Sequence, residues 1–345
     1  MIHAIIMAGG KGTRFWPLSR SVYAKQFLDL IDNKSLVQHT IDRLEGFIPT
    51  SQQWVVTNES QAHLFESTEI LKERLLCEPV GRNTCPCIGW AALECLQVDP
   101  DAIMVVLPSD HMITQQDRFQ AVVQDGIKLV NKTDHLVTIG INPTHPHTGY
   151  GYIKTASDSS LVEAFTEKPN YDTAKQFIAS KSYYWNAGLF IWKAATILEC
   201  IKSHSPDTYE VLMAIKSLDK DTSSYKTDLA SLFQSFPNIS IDYAILEKAI
   251  GRIAMIKSTF DWSDVGNWSA LEDFLDKDSD NNAKKAQVLA LDSHNNIVVS
   301  DKPIVALVDI ENLIVIDTED ALLVLPKESD QKIKQLYEKL PNQFR

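Results

Sequence analysis

A chain of 345 residues with 44% hydrophobic and 23% charged side chains has room for one large domain plus a small one. Its formal charge of −12, with no basic aromatic stripe, disfavours nucleic acid as a partner. No apolar run reaches bilayer-spanning length and Met1-Ile2-His3 has no basic leader segment, so no membrane partner is expected and a cytoplasmic location is.

In chain order, residues 2–7 read as a strand. Ser35 caps a helix whose apolar face is Leu36, Val37, Thr40, Ile41, Leu44 and Phe47. Residues 54–56 form a second strand, and a helix is predicted from Ser60 to about Leu75. Asn83 or Thr84 caps the next helix, with Pro86 in its first turn, where a missing N–H does no harm. Residues 103–107 are a continuous apolar strand of the kind a parallel sheet buries on both faces. Residues 119–130 are helix and 135–141 strand. This alternation predicts an α/β fold with a Rossmann-like, mixed open sheet.

From about Tyr150 the pattern is mixed, with strands at 152–155, 162–166 and 183–192 and helices at 194–203 and 206–218. The polar stretch 277–285 reads as a linker. Beyond it, apolar runs at 288–291, 297–299, 304–308, 313–316 and 321–325 recur at short intervals, followed by a helix over 328–340. That spacing signals a small all-β unit. The expected domains are therefore 1–276 and 286–345. Cys77, Cys85, Cys87 and Cys95 are spaced C-x7-C-x-C-x7-C, without the C-x2-C pairs of structural zinc sites, and read as buried thiols.

The stretch from Met7 to Arg20, MAGGKGTRFWPLSR, carries the most information. Glycines at the end of a strand let a ligand approach the backbone, and Lys11, Arg14, Arg20 and Lys25 supply positive charge. The first 34 residues hold five Lys or Arg against two Asp, so this positive charge is local to an acidic chain. The loop matches neither G-x-x-x-x-G-K-[ST] nor G-x-G-x-x-G, which disfavours a P-loop NTPase and a dinucleotide-binding protein. It does resemble the signature of sugar-phosphate nucleotidyltransferases. The ending Phe15-Trp16-Pro17-Leu18-Ser19-Arg20 is similar to the mannose-1-phosphate guanylyltransferase branch.

Later motifs extend the resemblance over most of the chain. Glu78-Pro79-Val80-Gly81-Arg82-Asn83-Thr84 resembles the family's E-P-x-x-R-N-T, although Cys85-Pro86-Cys87 stands where Ala-Pro-Ala is usual. A carboxylate can accept from both N1–H and the N2 amino group of guanine, which makes Glu78 a candidate base reader. Trp262-Ser263-Asp264-Val265-Gly266-Asn267-Trp268 matches W-x-D-x-G-x-W. Asp110, at the end of the apolar strand in Leu107-Pro108-Ser109-Asp110-His111, would be costly there without a cation or hydrogen bonds. The resemblance pairs Asp110 with Asp264 on Mg²⁺, which favours one or two carboxylates plus phosphate oxygens.

Tyr150-Gly151, Glu167-Lys168-Pro169 and Asn186-Ala187-Gly188 correspond in order and spacing to the family's sugar half. A hexose needs carboxylate and amide partners, which Glu167 and Asn186 supply, and Lys168 suits the sugar phosphate. Consecutive residues of a strand face opposite ways, so a turn at Pro169 is expected to bring Glu167 and Lys168 to one cleft. His145 and His147 read as loop residues, not a metal site.

What the resemblance implies is transfer of GMP from GTP to α-D-mannose 1-phosphate, giving GDP-mannose and pyrophosphate. Arg14, Lys25, Asp110 and Asp264 would be catalytic. Ala8, Gly9, Gly10, Gly12, Thr13, Arg14, Lys25, Glu78, Pro79, Asn83, Ser109 and Asp110 would bind the nucleotide. Tyr150, Gly151, Glu167, Lys168, Asn186 and Gly188 would bind the sugar phosphate. The C-terminal part would resemble a short left-handed β-helix, and a homodimer is admitted but not required. Another manno-configured substrate, such as a heptose 1-phosphate, stays open. So does a silent nucleotide-sugar-binding regulator, against which the joint presence of Arg14, Lys25, Asp110 and Asp264 argues.

Overall fold

The computed structural model of the chain describes residues 1–10, 12–156 and 159–345; Lys11, Ser157 and Asp158 lie outside the described residues. The chain divides into two compact units that interleave along the sequence. The first holds Met1–Gly9, Thr40–Ser109 and Ile113–Trp262, and the second holds Gly10–His39, Asp110–Met112 and Ser263–Arg345. Compactness thus cuts the chain elsewhere than the linear segments 1–276 and 286–345. Among the described residues no helix is long and apolar enough to cross a membrane.

The first unit is built on a nine-stranded sheet. Strands β1 (Ile2–Ala8), β2 (Gln53–Asn58), β3 (Leu75–Glu78) and β4 (Ile103–Pro108) are mutually parallel in the order β3-β2-β1-β4. Strand β5 (Leu136–Ile141), the hairpin of β6 (Tyr152–Thr155) and β7 (Val162–Thr166), β8 (Tyr183–Lys193) and β9 (Ile253–Lys257) complete the sheet. Strand β8 runs antiparallel to both β4 and β5, so the sheet is mixed, as the sequence pattern predicts. Chain order reverses between β1 and β4, and the crevice beyond the carboxyl ends at such a reversal is where open α/β sheets bind ligands.

Helices cover the sheet. Helix α1 (Leu36–Asp42) starts after Ser35, whose hydroxyl accepts the Gln38 N–H at 3.3 Å. Helices α2 (Thr84–Val98), α5 (Ala194–His204), α6 (Pro206–Lys216) and α7 (Tyr225–Ser235) bury one apolar cluster against Ile5, Val56, Met104, Val106, Phe190 and Trp192. Helix α3 (Gln116–Lys132) takes the other face, where Gly126 lets it approach Ile191 and Val137; α4 (Tyr171–Ser180) precedes β8. The helix predicted from Ser60 to about Leu75 is instead a 3₁₀ stretch, Glu59–Phe65, followed by turns. The Thr68 hydroxyl donates to the Phe65 carbonyl at 2.8 Å, a local bond that competes with helix continuation.

In the second unit, β11 (Ala283–Lys285), β13 (Ile297–Val299) and β15 (Leu313–Asp317) stack in parallel. Short β10 (Asp276–Lys277) and β16 (Leu322–Pro326) flank them, β12 (Val288–Leu291) pairs with β14 (Val305–Val308), and α8 (Ile333–Lys339) closes the chain. The supposed linker 277–285 is part of this stack. Asn282 is fully buried, donates to the Ser293 carbonyl at 2.9 Å and accepts from Asn296 N and Nδ2 at 3.0 and 2.9 Å. Lys277, Ser279, Asp280 and Asn281 are exposed, while Asn282 belongs to a buried amide pair with Asn296. The unit's apolar centre joins Ile297, Val299, Ile314 and Ile316 to Phe15, Trp16, Leu28 and Leu30, far away in sequence.

Candidate active site

The residues singled out in the sequence fall into three local groups. The first lies at the carboxyl ends of β1, β3 and β4 in the first unit. Ser109 N–H donates to the Met7 carbonyl at 3.0 Å, and Thr57 Oγ1 to the Ala8 carbonyl at 2.9 Å. Asn58, which the motifs did not flag, holds the Gly9 carbonyl through its Nδ2 at 2.8 Å. Glu78 is 4% exposed, and among the described residues its Oε1 has no hydrogen-bond partner. Burial pushes its carboxyl up to about 8. A Cβ on Gly9 would stand 3.5 Å from Glu78 Oε2 and 3.6 Å from Asn58 Nδ2, so a bare backbone lies beside the carboxylate. Asn83 adopts a φ of 70° and caps α2 by accepting the Thr84 N–H at 2.9 Å. Pro79 follows β3 directly, whereas Arg82 points away and donates to the Phe233 and Gln234 carbonyls at 3.1 and 2.7 Å.

The second group is in the second unit. Gly12 has φ +62° and lies so close to Lys25 that any Cβ would overlap its side chain. Thr13-Arg14-Phe15 then form a 3₁₀ turn that buries Phe15 against Trp268, ring centroids 5.0 Å apart, and leaves Arg14 exposed. Gln26 Nε2 donates to the Gly10 carbonyl at 3.2 Å. The Lys25 side chain is buried, and its Nζ donates to Asp110 Oδ2 at 2.8 Å and to the Asp264 carbonyl at 2.6 Å. A reciprocal backbone bridge between Met112 and Ser263, at 2.9 and 3.0 Å, brings the two acid-bearing segments together. Burial pushes the Asp110 carboxyl up, but the Lys25 ammonium and His111 outweigh it and hold the carboxyl below its ordinary range. Asp264 Oδ1 accepts the Gly266 N–H at 3.1 Å. Lys25 therefore joins the two acids here, a role beyond that of a cation for the ligand. Lys11, one of the four cations read in this segment, lies outside the described residues.

Carboxylates are the donors that magnesium takes one or two of, beside phosphate oxygens and water, so the chemistry of Asp110 and Asp264 suits that ion and they would be the residues to hold it. Among the described residues no group of three His, Cys, Asp or Glu side chains gathers.

The third group, in the first unit, surrounds Gly151. The Glu167 side chain is 6% exposed, its N–H donates to Glu247 Oε1 at 3.1 Å, and its Oε1 pairs with Lys168 Nζ at 2.6 Å. A Cβ on Gly151 would stand 2.5 Å from Glu167 Oε2. Both side chains share one side because Lys168 itself is left-handed, φ +47°; the turn precedes Pro169 instead of being made by it. Burial lowers the Lys168 ammonium's pKa, but the hydrogen bond and charge of Glu167 prevail and raise it overall. Asn186 N–H donates to the Gly151 carbonyl at 2.8 Å, and Asn186 Oδ1 accepts from Gly188 N, itself at φ +67°, at 3.3 Å. Tyr150 stacks on His147 at 3.8 Å and meets Trp185 and Trp262 edge-on, so His145 and His147 belong to an aromatic wall.

Asp242 was not legible beforehand. It opens a π-helical turn, Asp242–Leu246, and accepts from Asn186 Nδ2 at 2.9 Å. Burial and the Glu167 charge push its carboxyl up to about 7, while its own N–H, Lys168 and Ser240 oppose them. The one available sequence signal was an acid placed just before the apolar run Ala244–Leu246.

The nucleotidyl transferase family matches residues 3–281 of this chain, and a MannoseP isomerase/GMP-like beta-helix domain matches 286–340. A mannose-1-phosphate guanylyltransferase of Salmonella montevideo is 40% identical over 99% of this chain and 74% of its own length. The chain belongs to the mannose-1-phosphate guanylyltransferase family of nucleotidyl transferases. Alginate biosynthesis protein AlgA of Pseudomonas aeruginosa is 35% identical over 99% of this chain and 72% of its own. A solved structure described as a mannose-1-phosphate geranyltransferase from Thermus thermophilus superposes with TM-score 0.88 at 31% identity, covering 98% of each chain. The α/β sheet with a C-terminal β-helix-like part is thus the fold of this guanylyltransferase family.

Proposed function

We propose that this protein transfers GMP from GTP to α-D-mannose 1-phosphate. Substrates of this enzyme class are a nucleoside triphosphate and a sugar phosphate, and the relatives reported above support mannose 1-phosphate as the acceptor. The observation that carries the guanine assignment is Glu78, a buried carboxylate beside Gly9 with an unpartnered oxygen. A buried acceptor left unsatisfied costs about 1–3 kcal/mol, which a ligand with two adjacent N–H donors recovers.

In the reaction an oxygen of the sugar phosphate bonds to the α-phosphorus. The bond from that phosphorus to the β-phosphate oxygen breaks, and pyrophosphate leaves with the electron pair. The attacking oxygen is already ionised at neutral pH, so no general base is required, and catalysis is positioning and charge stabilisation. Arg14 faces the nucleotide phosphates. Lys25 keeps the Asp110 and Asp264 segments together, and these two acids would hold Mg²⁺, which would neutralise phosphate charge. Glu167 and Asn186 hold sugar hydroxyls while Lys168 exchanges its Glu167 pairing for the sugar phosphate. We assign this chemistry to the expected catalytic segment 1–276 and the cytoplasm as its location.

The test is pyrophosphate release over a grid of nucleotides and sugar 1-phosphates. GTP with mannose 1-phosphate should give the highest kcat/KM. A preference for a heptose 1-phosphate would move the assignment to that sugar, and no release with any pair would refute the catalytic reading.

A further inference from the structure

We infer that Asp242 is a positioning residue for sugar recognition: it fixes the amide of Asn186 so that this side chain offers the substrate a hydrogen-bond donor while Glu167 offers the acceptor. The inference rests on the assignment of Asn186 and Glu167 to the sugar. An asparagine amide has two N–H donors and an oxygen with two lone pairs, and either orientation fills the same space. Thr138 Oγ1 lies 2.8 Å from Asn186 Oδ1, but a hydroxyl can give or accept, so it does not decide the orientation. Gly188 N–H can only donate and reaches Oδ1 at 3.3 Å, a long bond. In its ionised form the Asp242 carboxylate can only accept, and it stands 2.9 Å from Nδ2. Both Oδ1 lone pairs are then occupied. Among the described residues no partner takes the second N–H of Nδ2.

Glu167 complements this donor. Its Oε2 lies against Gly151, where a Cβ would stand 2.5 Å from the oxygen and 3.3 Å from Asn186 Cβ, so the two side chains flank one bare stretch of backbone. A pyranose hydroxyl both gives and accepts, so a fixed donor beside a fixed acceptor reads the direction of neighbouring hydroxyls. Asp242 is held for this task by Ser240 and its own backbone N–H within a π turn, a rare conformation frequent at functional sites. Keeping it near Glu167 has a cost, visible in the raised pKa of its carboxyl, that a neutral residue there would avoid.

The experiment compares Asp242→Ala, Asp242→Asn, Asn186→Ala and the Asp242→Ala/Asn186→Ala pair. Affinity for mannose 1-phosphate and the rest of the sugar panel is measured by calorimetry, and kcat and KM by pyrophosphate release. Asp242→Ala should raise Kd and KM for the sugar phosphate about tenfold, the size of one hydrogen bond, with KM for GTP unchanged. Asp242→Asn, whose oxygen can still accept from Nδ2, should restore most of that loss. The double variant should bind no worse than Asn186→Ala alone. Additive losses, an equal rise in KM for GTP, or an Asp242→Asn variant as weak as Asp242→Ala would overturn the inference. Unchanged sugar affinity in Asp242→Ala would refute it alone, whereas a wild-type protein that binds no sugar phosphate would refute the sugar pocket and this inference together.

Discussion

Glu78 is buried with a carboxyl that titrates at about 8, far above the ordinary 4.5. In the unfolded chain it ionises near the lower value, so its contribution to stability is full below pH 4.5 and is lost as pH rises to 8. Glu78→Gln should therefore flatten the pH dependence of the melting temperature over that interval, as differential scanning calorimetry of both proteins would show. The same residue should set nucleotide choice. Guanine donors need the ionised carboxylate, so GTP binding at neutral pH should release a proton, read as a buffer-dependent calorimetric enthalpy. Glu78→Gln presents a donor to a donor and should weaken GTP by roughly 1–3 kcal/mol while leaving ATP little changed. Equal losses for both nucleotides would assign Glu78 to structure. The sequence made Glu78 legible through E-P-x-x-R-N-T, but not its burial, which comes from the packing of β3. Lys25 was legible as a cation. Its bonds to Asp110 and Asp264 depend on the Met112–Ser263 bridge, whose partners are too far apart in sequence for any local pattern to report.

At the scale of elements, the parallel strands and α2 were legible because their signals are strong: continuous apolar runs, and Asn83 ahead of Pro86. The stretch 60–75 was not, since its helical apolar spacing is undone by the local bond from Thr68 to Phe65. Nor was the stack over 277–285, because buried Asn282 looks in sequence like any loop asparagine. Asp242 escaped for a related reason: a π turn has no recognisable residue pattern. The sugar group depends on three elements meeting at Gly151, namely β6, β8 and the loop after β7. Gly151→Ala tests that meeting directly. The added Cβ would stand 2.5 Å from Glu167 Oε2 and 3.3 Å from Asn186 Cβ, so Glu167 must swing away or the strand must shift. KM for the sugar phosphate should rise by about tenfold or more, with KM for GTP and the melting temperature nearly unchanged. A variant with wild-type sugar kinetics would remove Gly151 and Glu167 from the pocket.

The whole molecule poses a question about where its parts begin and end. The two family matches are linear, 3–281 and 286–340, whereas the compact units exchange segments. Segment 10–39, which carries Arg14 and Lys25, belongs to the same unit as residues 263–345. Phe15, Trp16, Leu28 and Leu30 share one apolar cluster with Val265, Trp268, Ile297, Val299, Ile314, Ile316 and Ile333. Trp16 Nε1 donates to the Phe344 carbonyl at 2.9 Å, and Trp268 Nε1 to the Trp16 carbonyl at 3.2 Å. A chain ended at Asp276 would strip the C-terminal half of that cluster from Phe15, Trp16 and Trp268. Each such side chain gains about 1.5–3 kcal/mol from burial, so the summed loss is of the order of a domain's net stability. The first unit keeps its own core in β1–β9 and α2–α7 and should survive. The truncated protein should therefore retain much of its far-ultraviolet helical signal and yet lose pyrophosphate release. Trypsin should cut it rapidly at Arg20 or Lys25, whose side chains are largely buried in the full chain. A truncated chain that is active and resists cleavage there would show that segment 10–39 folds without the β-helix-like part.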